Sequence, residues 1–387
     1  MTAAANSSSV SDPPALLGRD AFTGLDHRAY LYTGAHAPAL RRVTEAIARA
    51  HEAQSLGPGG RDVLFGAEVE ARAKLAAMVG RATADVGLLG DASTAWNAIA
   101  RGLAWEPGDN VVLNEYEHPS VVLPFLRLKE DGLEVRVVRR GPDWDIPADA
   151  IAAACDVRTR AIAVSHVGYV TGLRHDLAEL AAIADRHGIP LLVDASHALG
   201  VVPVEAEHAA IVVSASYKWL LGPYGVGIVI WNRDRLPGFR PGLVGWRSTT
   251  EIFTDDRFER VNVSDDARRF QLGAPSLSGI AGLSAALSEL EALDPAAVER
   301  HALALSARAI AALEDAGLEV TTPRDPARRA GNVAFLHSDG ERVAARMAEL
   351  GVPVWGGDGR IRASFHVLND GDAPAALVDA LREVTGA

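Results

Sequence analysis

The feature that most constrains the fold is a series of short, almost continuous Val/Ile/Leu runs that alternate with helical segments. Residues 161–165 and 190–194 are apolar at nearly every position instead of at every second one. A strand of that kind is covered on both faces, which is typical of a parallel sheet between two layers of helices. We therefore predict an α/β fold with a mainly parallel sheet. Its strands are predicted at 86–89, 110–113, 134–138, 161–165, 190–194, 211–213 and 228–231.

The pattern changes after residue 240, where a Gly/Pro/Arg-rich stretch precedes a long helical segment and a smaller α/β unit. With 387 residues, 48% of them hydrophobic, the chain has enough apolar material for two coupled domains. We predict a flexible tail at 1–18, a large domain at 19–275 and a small C-terminal domain at 276–387. The N-terminal segment of the large domain is expected to pack on the small one.

Charge, hydropathy and cysteine content limit the molecules that the chain can bind and the setting in which it works. The formal net charge is −12, and no run of Lys and Arg indicates a nucleic-acid or anionic-membrane surface. No apolar stretch reaches the ~20 residues that a membrane span needs. The one cysteine, Cys155, leaves no intrachain disulfide and favours a reducing setting. We expect a cytoplasmic protein that handles small molecules.

A single lysine, Lys218, stands between two apolar runs and is followed by a loop with three glycines and a proline. Burial lowers the pKa of an amine and frees its lone pair to attack a carbonyl. Lys218 is therefore a candidate nucleophile, with Ser216 and Tyr217 beside it as candidate phosphate donors. On this stretch alone, the other interpretation is a solvated lysine on a turn.

Two segments upstream are suited to a flat, phosphorylated group. Ser93 and Thr94 lie between a predicted strand and a predicted helix, where hydroxyls and free backbone N–H groups form a phosphate site. His118 follows the next strand and is placed to stack on an aromatic ring. Each of these segments has a second interpretation as a plain helix cap.

Asp194 ends the predicted strand at 190–194, and ligands of open α/β sheets bind beyond the carboxyl ends of strands. A carboxylate there can pair with a protonated pyridine nitrogen, which makes a pyridoxal ring an electron sink. His197 follows three residues later and could reach the phenolic oxygen of that ring or the substrate. Without the other residues, His197 could equally be structural.

Arg360 and Arg362 lie two residues apart on a predicted strand near the C-terminus, and so they share one face. A guanidinium group binds a carboxylate in bidentate fashion. The pair is therefore a candidate clamp for the carboxylate of an amino acid, and its other interpretation is two surface arginines.

Taken in order, the phosphate turn, His118, Asp194, Lys218 and a C-terminal arginine resemble the class V aminotransferase family of fold-type I pyridoxal 5′-phosphate (PLP) enzymes. The resemblance covers about residues 30–369. It implies a large domain with a mainly parallel sheet sandwiched by helices, plus a small α/β C-terminal domain. It also implies PLP as cofactor, an α-amino acid as substrate and no metal. It assigns the Schiff-base lysine to Lys218, the pyridine-nitrogen partner to Asp194 and the carboxylate to Arg362 rather than Arg360.

The resemblance further implies a homodimer with the active site at the subunit interface. In the family, a threonine of a Gly-Thr-Pro turn donates to the phosphate across that interface. The corresponding residue here is Ala274, and Ser276 is the candidate replacement.

Within the family, residues 166–172, residues 194–204 and Tyr217 resemble kynureninase. That likeness adds Tyr169 as a candidate substrate contact. The paired tryptophans of the kynureninase substrate loop are replaced by Trp246 and Arg247. We expect these two residues to contact the distal part of the substrate, and a purely structural pair is the alternative.

His118, in contrast, is the residue that cysteine desulfurases show at this position. Those enzymes carry a mobile nucleophilic cysteine shortly before the carboxylate-binding arginine, and no cysteine precedes Arg362 at that spacing. Cys155 lies far from it in the sequence and is predicted to be buried. We therefore expect that the chain is not a cysteine desulfurase.

The residues together predict an enzyme that acts on an α-amino acid through a Schiff base, with Lys218, Asp194 and His197 as catalytic residues. Lys218 is expected to act as the general base at Cα. We favour lyase-type cleavage of a C–S or C–C bond of the side chain, in specialised metabolism. A class V aminotransferase, a decarboxylation-coupled oxidative deaminase and an epimerase are the enzymatic alternatives. A regulator without catalytic activity on the same fold is the remaining one.

Overall fold

The centre of the molecule is a seven-stranded sheet in the order β1-β7-β6-β5-β4-β2-β3. The computed structural model describes residues 13–386. Neighbouring strands are parallel from β3 through β2, β4 and β5 to β6, whereas β7 is antiparallel to both β6 and β1. The predicted α/β fold with a mainly parallel sheet is confirmed. The strands are β1 Val86–Leu89, β2 Asn110–Asn114, β3 Glu134–Val138, β4 Thr159–Ser165, β5 Leu191–Asp194, β6 Ile211–Ala215 and β7 Gly227–Trp231.

The central strands are apolar on both faces because helices cover both. Val111 and Leu113 of β2 pack into one core cluster, and Val112 between them packs into a second cluster on the other face. Trp96 and Phe125 contribute the large aromatic side chains of the first cluster. The helices around this sheet are α1 Arg41–Gln54, α2 Pro58–Met78, α3 Ala92–Gly102, α4 Pro119–Arg127, α5 Ala148–Ala154, α6 Leu177–His187 and α7 Leu277–Glu291.

Helix α2 begins earlier than the sequence indicates. The Gly-Pro-Gly-Gly stretch at 57–60 predicts a break, with the next helix starting only at residue 68. In the structure Pro58 occupies the first turn of α2, where the missing N–H of proline costs nothing. A Cβ at Gly60 would lie 1.7 Å from the carbonyl oxygen of Ala53. The glycine therefore permits the close approach of α1 and α2 instead of interrupting the helix.

A second, three-stranded antiparallel sheet has the order β8-β10-β9. The N-terminal segment joins this unit: Leu31 N–H donates to the Pro353 carbonyl at 3.1 Å, and Ser364 N–H donates to the Leu31 carbonyl at 2.9 Å. The elements are α8 Pro295–Asp315, β8 Asn332–Leu336, α9 Gly340–Glu349, β9 Trp355–Gly357, β10 Arg360–Ser364 and α10 Ala373–Thr385.

The two core regions meet within α8. Buried side chains of α7 belong to the cluster of the large sheet, and so does Ala302, whereas Leu305 belongs to the cluster of the small sheet. The predicted domain boundary between 275 and 276 stays a prediction. Of the predicted flexible tail at 1–18, residues 1–12 lie outside the described part, and Leu17 N–H donates to the Val367 carbonyl at 2.9 Å.

Helices long and apolar enough to cross a bilayer are absent from residues 13–386.

Candidate active site

The site forms at the edge of the large sheet where the parallel strands end. Asp194 is the last residue of β5, and its side chain is buried there. Trp96 Nε1–H of α3 donates to one carboxylate oxygen at 3.3 Å, and the Ser196 backbone N–H donates to the other at 2.8 Å. These two donors fix the orientation of the carboxylate, and so Asp194 is a rigid acceptor at the carboxyl edge.

Lys218 follows β6 at the same edge and is 8% exposed. A tight turn holds it, because Gly222 N–H returns to the Ser216 carbonyl at 2.9 Å and Leu221 adopts a positive φ of 56°. Burial lowers the pKa of the Lys218 amine to about 8, while Asp194 opposes that change. The predicted desolvated lysine is therefore present, and its amine is largely neutral only slightly above physiological pH.

His197 connects the lysine to the small sheet. Its Nε2 lies 3.1 Å from Lys218 Nζ, and its Nδ1 lies 2.9 Å from the Asn332 side-chain amide nitrogen. Asn332 Oδ1 accepts from Ser364 Oγ, which leaves its NH2 group to face the imidazole. Burial and the nearby Lys218 hold the pKa of His197 well below its usual range. A neutral imidazole that accepts at Nδ1 carries its proton on Nε2, the nitrogen that lies next to Lys218 Nζ.

His118 caps α4, since its Nδ1 accepts from the Ser120 backbone N–H at 3.1 Å. Its ring also makes an edge contact with the Tyr169 ring, with centroids 5.3 Å apart. Desolvation first, and then the charge of Lys218, lower the pKa of His118. The interpretation of His118 as a helix cap is confirmed, and its stacking on the cofactor ring stays a prediction.

The N-terminus of α3 is only partly open to an anion. Asp91 is the N-cap, and its carboxylate accepts from the Thr94 N–H at 2.7 Å and from Thr94 Oγ1 at 3.1 Å. Ser93 Oγ donates to Ser120 Oγ at 2.9 Å, at the start of α4. The Ser93 and Ser120 hydroxyls together with the remaining first-turn N–H groups are therefore better placed for a phosphate than the Thr94 hydroxyl.

The other predicted phosphate donors have different surroundings. Ser216 Oγ donates to the Pro223 carbonyl within the lysine turn. The Tyr217 ring stacks on the Tyr224 ring at 4.2 Å between centroids. Ser276 caps α7 by accepting from Gly279 N–H at 3.1 Å. The phosphate roles of Tyr217 and Ser276 stay predictions.

Arg360 and Arg362 lie on the same face of β10, and both are buried. Arg362 Nη1 donates to the Tyr169 carbonyl at 2.6 Å, which holds the guanidinium beside the residue that contacts His118. Burial first, and then the neighbouring Arg360, lower the pKa of Arg362 to about 10. The surface interpretation of the two arginines does not hold, because the fold buries both.

Trp246 and Arg247 lie in a short 3-10 turn away from these contacts. Both carboxylate oxygens of buried Glu68 accept from Arg247 Nη2 at 2.7 Å. Gln271 Nε2 donates to the same carboxylate at 2.7 Å. Trp246 is half exposed. The ion pair between Arg247 and Glu68 fixes the 240–275 segment on α2. A substrate contact by Trp246 or Arg247 stays a prediction.

The sequence did not indicate three residues that shape the site. Trp96 holds Asp194, and Asn332 holds His197 across 135 positions of chain. Gly34 lines the same corner, because a Cβ there would lie 2.6 Å from Ser364 Oγ and 2.7 Å from Asn332 Oδ1. Only Trp96 carries a sequence signal, since it lies one turn into the helix that the Ser93-Thr94 motif opens.

These residues match the chemical requirements of PLP. An amine of lowered pKa can join an aldehyde, an oriented carboxylate can pair with a ring nitrogen, and His118 offers a flat face to the ring. Arg362 Nε is buried without a hydrogen-bond partner, as expected of a guanidinium that awaits an anion. Within residues 13–386, His, Cys, Asp and Glu side chains form no cluster suited to a metal ion.

A buried lysine and a buried aspartate at the carboxyl edge of such a sheet, with a histidine nearby, are the arrangement expected of a fold-type I PLP enzyme. The chain belongs to the aminotransferase class-V family, whose model matches residues 29–370. The predicted family, the fold type, the PLP cofactor and the enzymatic nature of the chain are thereby confirmed.

Named relatives of the chain are cysteine desulfurases. It is 27% identical over 339 residues to a probable cysteine desulfurase of Methanothermobacter thermautotrophicus, which covers 82% of this chain and 83% of the relative. It is 32% identical to the cysteine desulfurase of Dickeya dadantii, over 69% of this chain and 65% of the relative. Among solved structures, the apo cysteine desulfurase of Thermococcus onnurineus NA1 superimposes with a TM-score of 0.82 at 25% identity, covering 93% and 95% of the two chains.

The expectation that the chain is not a cysteine desulfurase is therefore wrong. It rested on one missing cysteine, whereas the similarity to cysteine desulfurases extends over four fifths of the chain. A single absent nucleophile is weak ground for exclusion, since a thiol from outside the chain can also accept sulfur. The names of these relatives give no support to the other expected reactions, which were C–C cleavage, transamination, oxidative deamination and epimerisation. The kynureninase-like branch is not confirmed by these relatives.

Proposed function

We propose that the chain is a PLP-dependent C–S lyase of the cysteine desulfurase type, which acts on L-cysteine or a cysteine derivative. The similarity to named cysteine desulfurases over four fifths of the chain carries this proposal. The local geometry is compatible with it: Asp194 and Arg362 lie close enough to Lys218 to alter its pKa, and Lys218 and Arg362 lie close enough to His197 to lower the pKa of the imidazole. When bound, PLP supplies an electron sink for charge that develops at Cα of the substrate.

Each residue then has a separate task. Arg362 binds the substrate carboxylate, because it is a buried guanidinium with an unsatisfied Nε. The Lys218 amine moves the proton at Cα, and its lowered pKa suits a base that works near neutral pH. His197 donates through Nε2 towards the reacting centre and stays neutral throughout, because Asn332 occupies its Nδ1.

The sulfur has no acceptor of its own on this chain near the site. Cys155 precedes β4, at the amino edge of the sheet, and its Sγ donates to the Ile151 carbonyl at 3.3 Å. The site lies at the carboxyl edge. We therefore propose that sulfur leaves to a thiol in solution: with two external thiols, L-cysteine gives alanine, sulfide and one disulfide.

The test is to incubate the purified holoenzyme with L-cysteine and dithiothreitol and to measure sulfide, alanine, pyruvate and ammonia. Sulfide with alanine supports desulfuration, and sulfide with equal pyruvate and ammonia supports elimination, so both support C–S cleavage. A keto acid with pyridoxamine phosphate and no sulfide would contradict the proposal. L-Kynurenine serves as the comparison substrate for the kynureninase likeness, and we expect no anthranilate from it.

We also propose a homodimer. Exposed apolar side chains concentrate on the 240–275 segment and on the outer face of α2, and Phe65 of α2 touches Arg247, where the two surfaces meet. A second copy of the chain would cover this surface. Its members are Val63, Val69, Val244, Trp246, Phe253, Phe258 and Val261.

A further inference from the structure

The small sheet presents two buried arginines to the site, although one suffices for the carboxylate of an amino acid. Arg360 is 7% exposed and Arg362 is 3% exposed. Among the described residues, these are the two arginines whose Nε is buried without a hydrogen-bond partner. Burying a second unpaired cation beside the first is unfavourable, unless an anion neutralises it.

Arg360 faces the same aromatic walls as Arg362. Both guanidinium groups lie over the Trp355 ring, at 4.8 Å and 5.3 Å from its centroid. Arg360 also lies 5.7 Å from the centroid of Tyr169, whose carbonyl binds Arg362 and whose ring contacts His118. The two arginines therefore share the Trp355 ring and the Tyr169 residue as neighbours, and Tyr169 in turn contacts His118.

The ion pair available to Arg360 is weak. Asp358 Oδ2 lies 3.4 Å from Arg360 Nη2, and the Asp358 side chain is 71% exposed. Water therefore screens this contact, and it contributes little. The Nε of Arg360 keeps a donor without a hydrogen-bond partner.

We infer that Arg360 binds a second anionic group on the substrate side chain, while Arg362 binds the α-carboxylate. The inference rests on the proposed function and names its substrate class: a cysteine derivative whose sulfur substituent carries a carboxylate. Residues two apart on a strand are separated by about 7 Å. An extended amino acid with four carbons between its carboxylates matches that separation.

The reaction of such a substrate is balanced without an oxidant. The Cβ–S bond breaks, and the sulfur leaves as a thiol that keeps the second carboxylate. Water replaces the amino group, which leaves as ammonia, and the remaining three carbons become pyruvate.

The binding test uses the holoenzyme with two amino acids that lack sulfur. L-2-aminoadipate and L-norleucine differ only by a terminal carboxylate in place of a methyl group. We expect L-2-aminoadipate to bind at least about tenfold more tightly, since a charge-assisted bidentate pair contributes that much. Binding is followed by the change in visible absorbance of the bound PLP. Equal dissociation constants for the two amino acids would overturn the inference.

Arg360→Gln is expected to reduce the ratio of the two dissociation constants to about one. The control is Arg269→Gln, because Arg269 is also a buried arginine over a tryptophan, 4.4 Å from the Trp231 centroid, but at the opposite edge of the sheet. It should keep the wild-type ratio. An unchanged ratio in Arg360→Gln would show that Arg360 only packs on Trp355, and would overturn the inference.

Turnover separates this inference from the proposed function. S-carboxymethyl-L-cysteine and S-ethyl-L-cysteine form the matched reactive pair, with pyruvate as the readout. Preference for the carboxylate supports both proposals. Tight binding of L-2-aminoadipate without C–S cleavage of any cysteine compound would contradict the proposed function and leave the two-anion pocket standing. Equal cleavage of S-carboxymethyl-L-cysteine and S-ethyl-L-cysteine would support the proposed function and contradict the role of Arg360.

Discussion

At the scale of single residues, the chemistry depends on how burial changes proton affinity. Lys218 lies in a pocket that disfavours its charged form, and so its pKa falls from the ordinary 10.5 to about 8. His197 and His118 are neutral for the same reason. The site thus contains one amine that changes its protonation state near neutral pH and two imidazoles that are uncharged there.

The first prediction concerns the pH dependence of PLP uptake by the apoprotein. Only the neutral amine attacks the aldehyde, so the rate of capture should rise as the pH rises through about 8. Because the folded-state pKa is lowered, the unfolded chain holds a proton that the folded chain lacks between pH 10.5 and about 8, and so the apoprotein loses stability as the pH falls through that window. Stopped-flow absorbance measures the rate. A midpoint near 10.5 would contradict the buried amine, and Lys218→Ala should show no covalent capture.

The second prediction concerns Asp194→Asn. The amide keeps the shape and the acceptor oxygen for Trp96 Nε1–H, but it loses the negative charge. PLP should still bind, while C–S cleavage should fall by about 100-fold or more, in line with other losses of a preorganised charge. Trp96→Phe is the comparison: it keeps the charge and loses only one orienting donor, so its effect should be smaller. Full activity of Asp194→Asn would exclude the ring-nitrogen role.

At the scale of elements, the site depends on contacts between the two sheets. Asn332 of β8 bonds to Ser364 of β10 on one side and to His197 on the other. In this way a side chain of the small sheet fixes the tautomer of an imidazole on the large one. The packing of the small sheet against the large one therefore affects which nitrogen of His197 carries the proton.

The third prediction compares Asn332→Ala with Ser364→Ala. Ser364→Ala loses one buried hydrogen bond, which costs about 1 kcal/mol in the free energy of unfolding, whereas Asn332→Ala loses that bond and the one to His197 and should cost about twice as much. Only Asn332→Ala releases His197 Nδ1, so it should lower kcat about tenfold or more beyond any effect of Ser364→Ala. Urea unfolding and steady-state kinetics give the two quantities. Equal kcat values in the two variants would show that Asn332 has only a structural role.

The fourth prediction concerns the ion pair that fixes the 240–275 segment on α2. Arg247→Met leaves the buried carboxylate of Glu68 without its cation, which should cost about 3–5 kcal/mol in the free energy of unfolding. The double variant Glu68→Met with Arg247→Met should recover most of that loss, because apolar partners of similar volume are tolerated. If Arg247 contacts the substrate instead, KM will stay raised in the stable double variant.

At the scale of the whole molecule, the exposed apolar surface is the feature that a single chain leaves unexplained. Phe253 is 90% exposed and Phe258 is 86% exposed, in a segment that Glu68 anchors through Arg247. Large apolar side chains at such exposure are typical of an interface. We therefore expect twice the chain mass in solution.

The fifth prediction tests that assembly. Phe258→Asp places a charge on the proposed interface and should shift the protein towards the monomer, as analytical ultracentrifugation would show. Val157→Asp is the matched control: Val157 is 90% exposed, but it lies before β4 at the other edge of the sheet. A monomeric wild type, or equal masses for the two variants, would contradict the proposed homodimer.

The sequence by itself determined the sheet, the family and the cofactor, and it predicts the residues that bind the cofactor. Continuous apolar strands require helices on both faces, so the sheet follows from local composition, whereas a lysine between two such strands is only a candidate for burial until the fold is known. Only the tertiary structure decided that Asn332 bonds to His197, that Arg247 is paired with Glu68 and that both arginines of β10 are buried. Each of these depends on which distant segments meet, because a hydrogen bond across 135 residues leaves no local pattern. The start of α2 at Pro58 was missed for the same reason, since its glycines serve a contact with α1. Lys218 indicates the cofactor, and only the fold brings Asn332 of the small sheet to the histidine beside it.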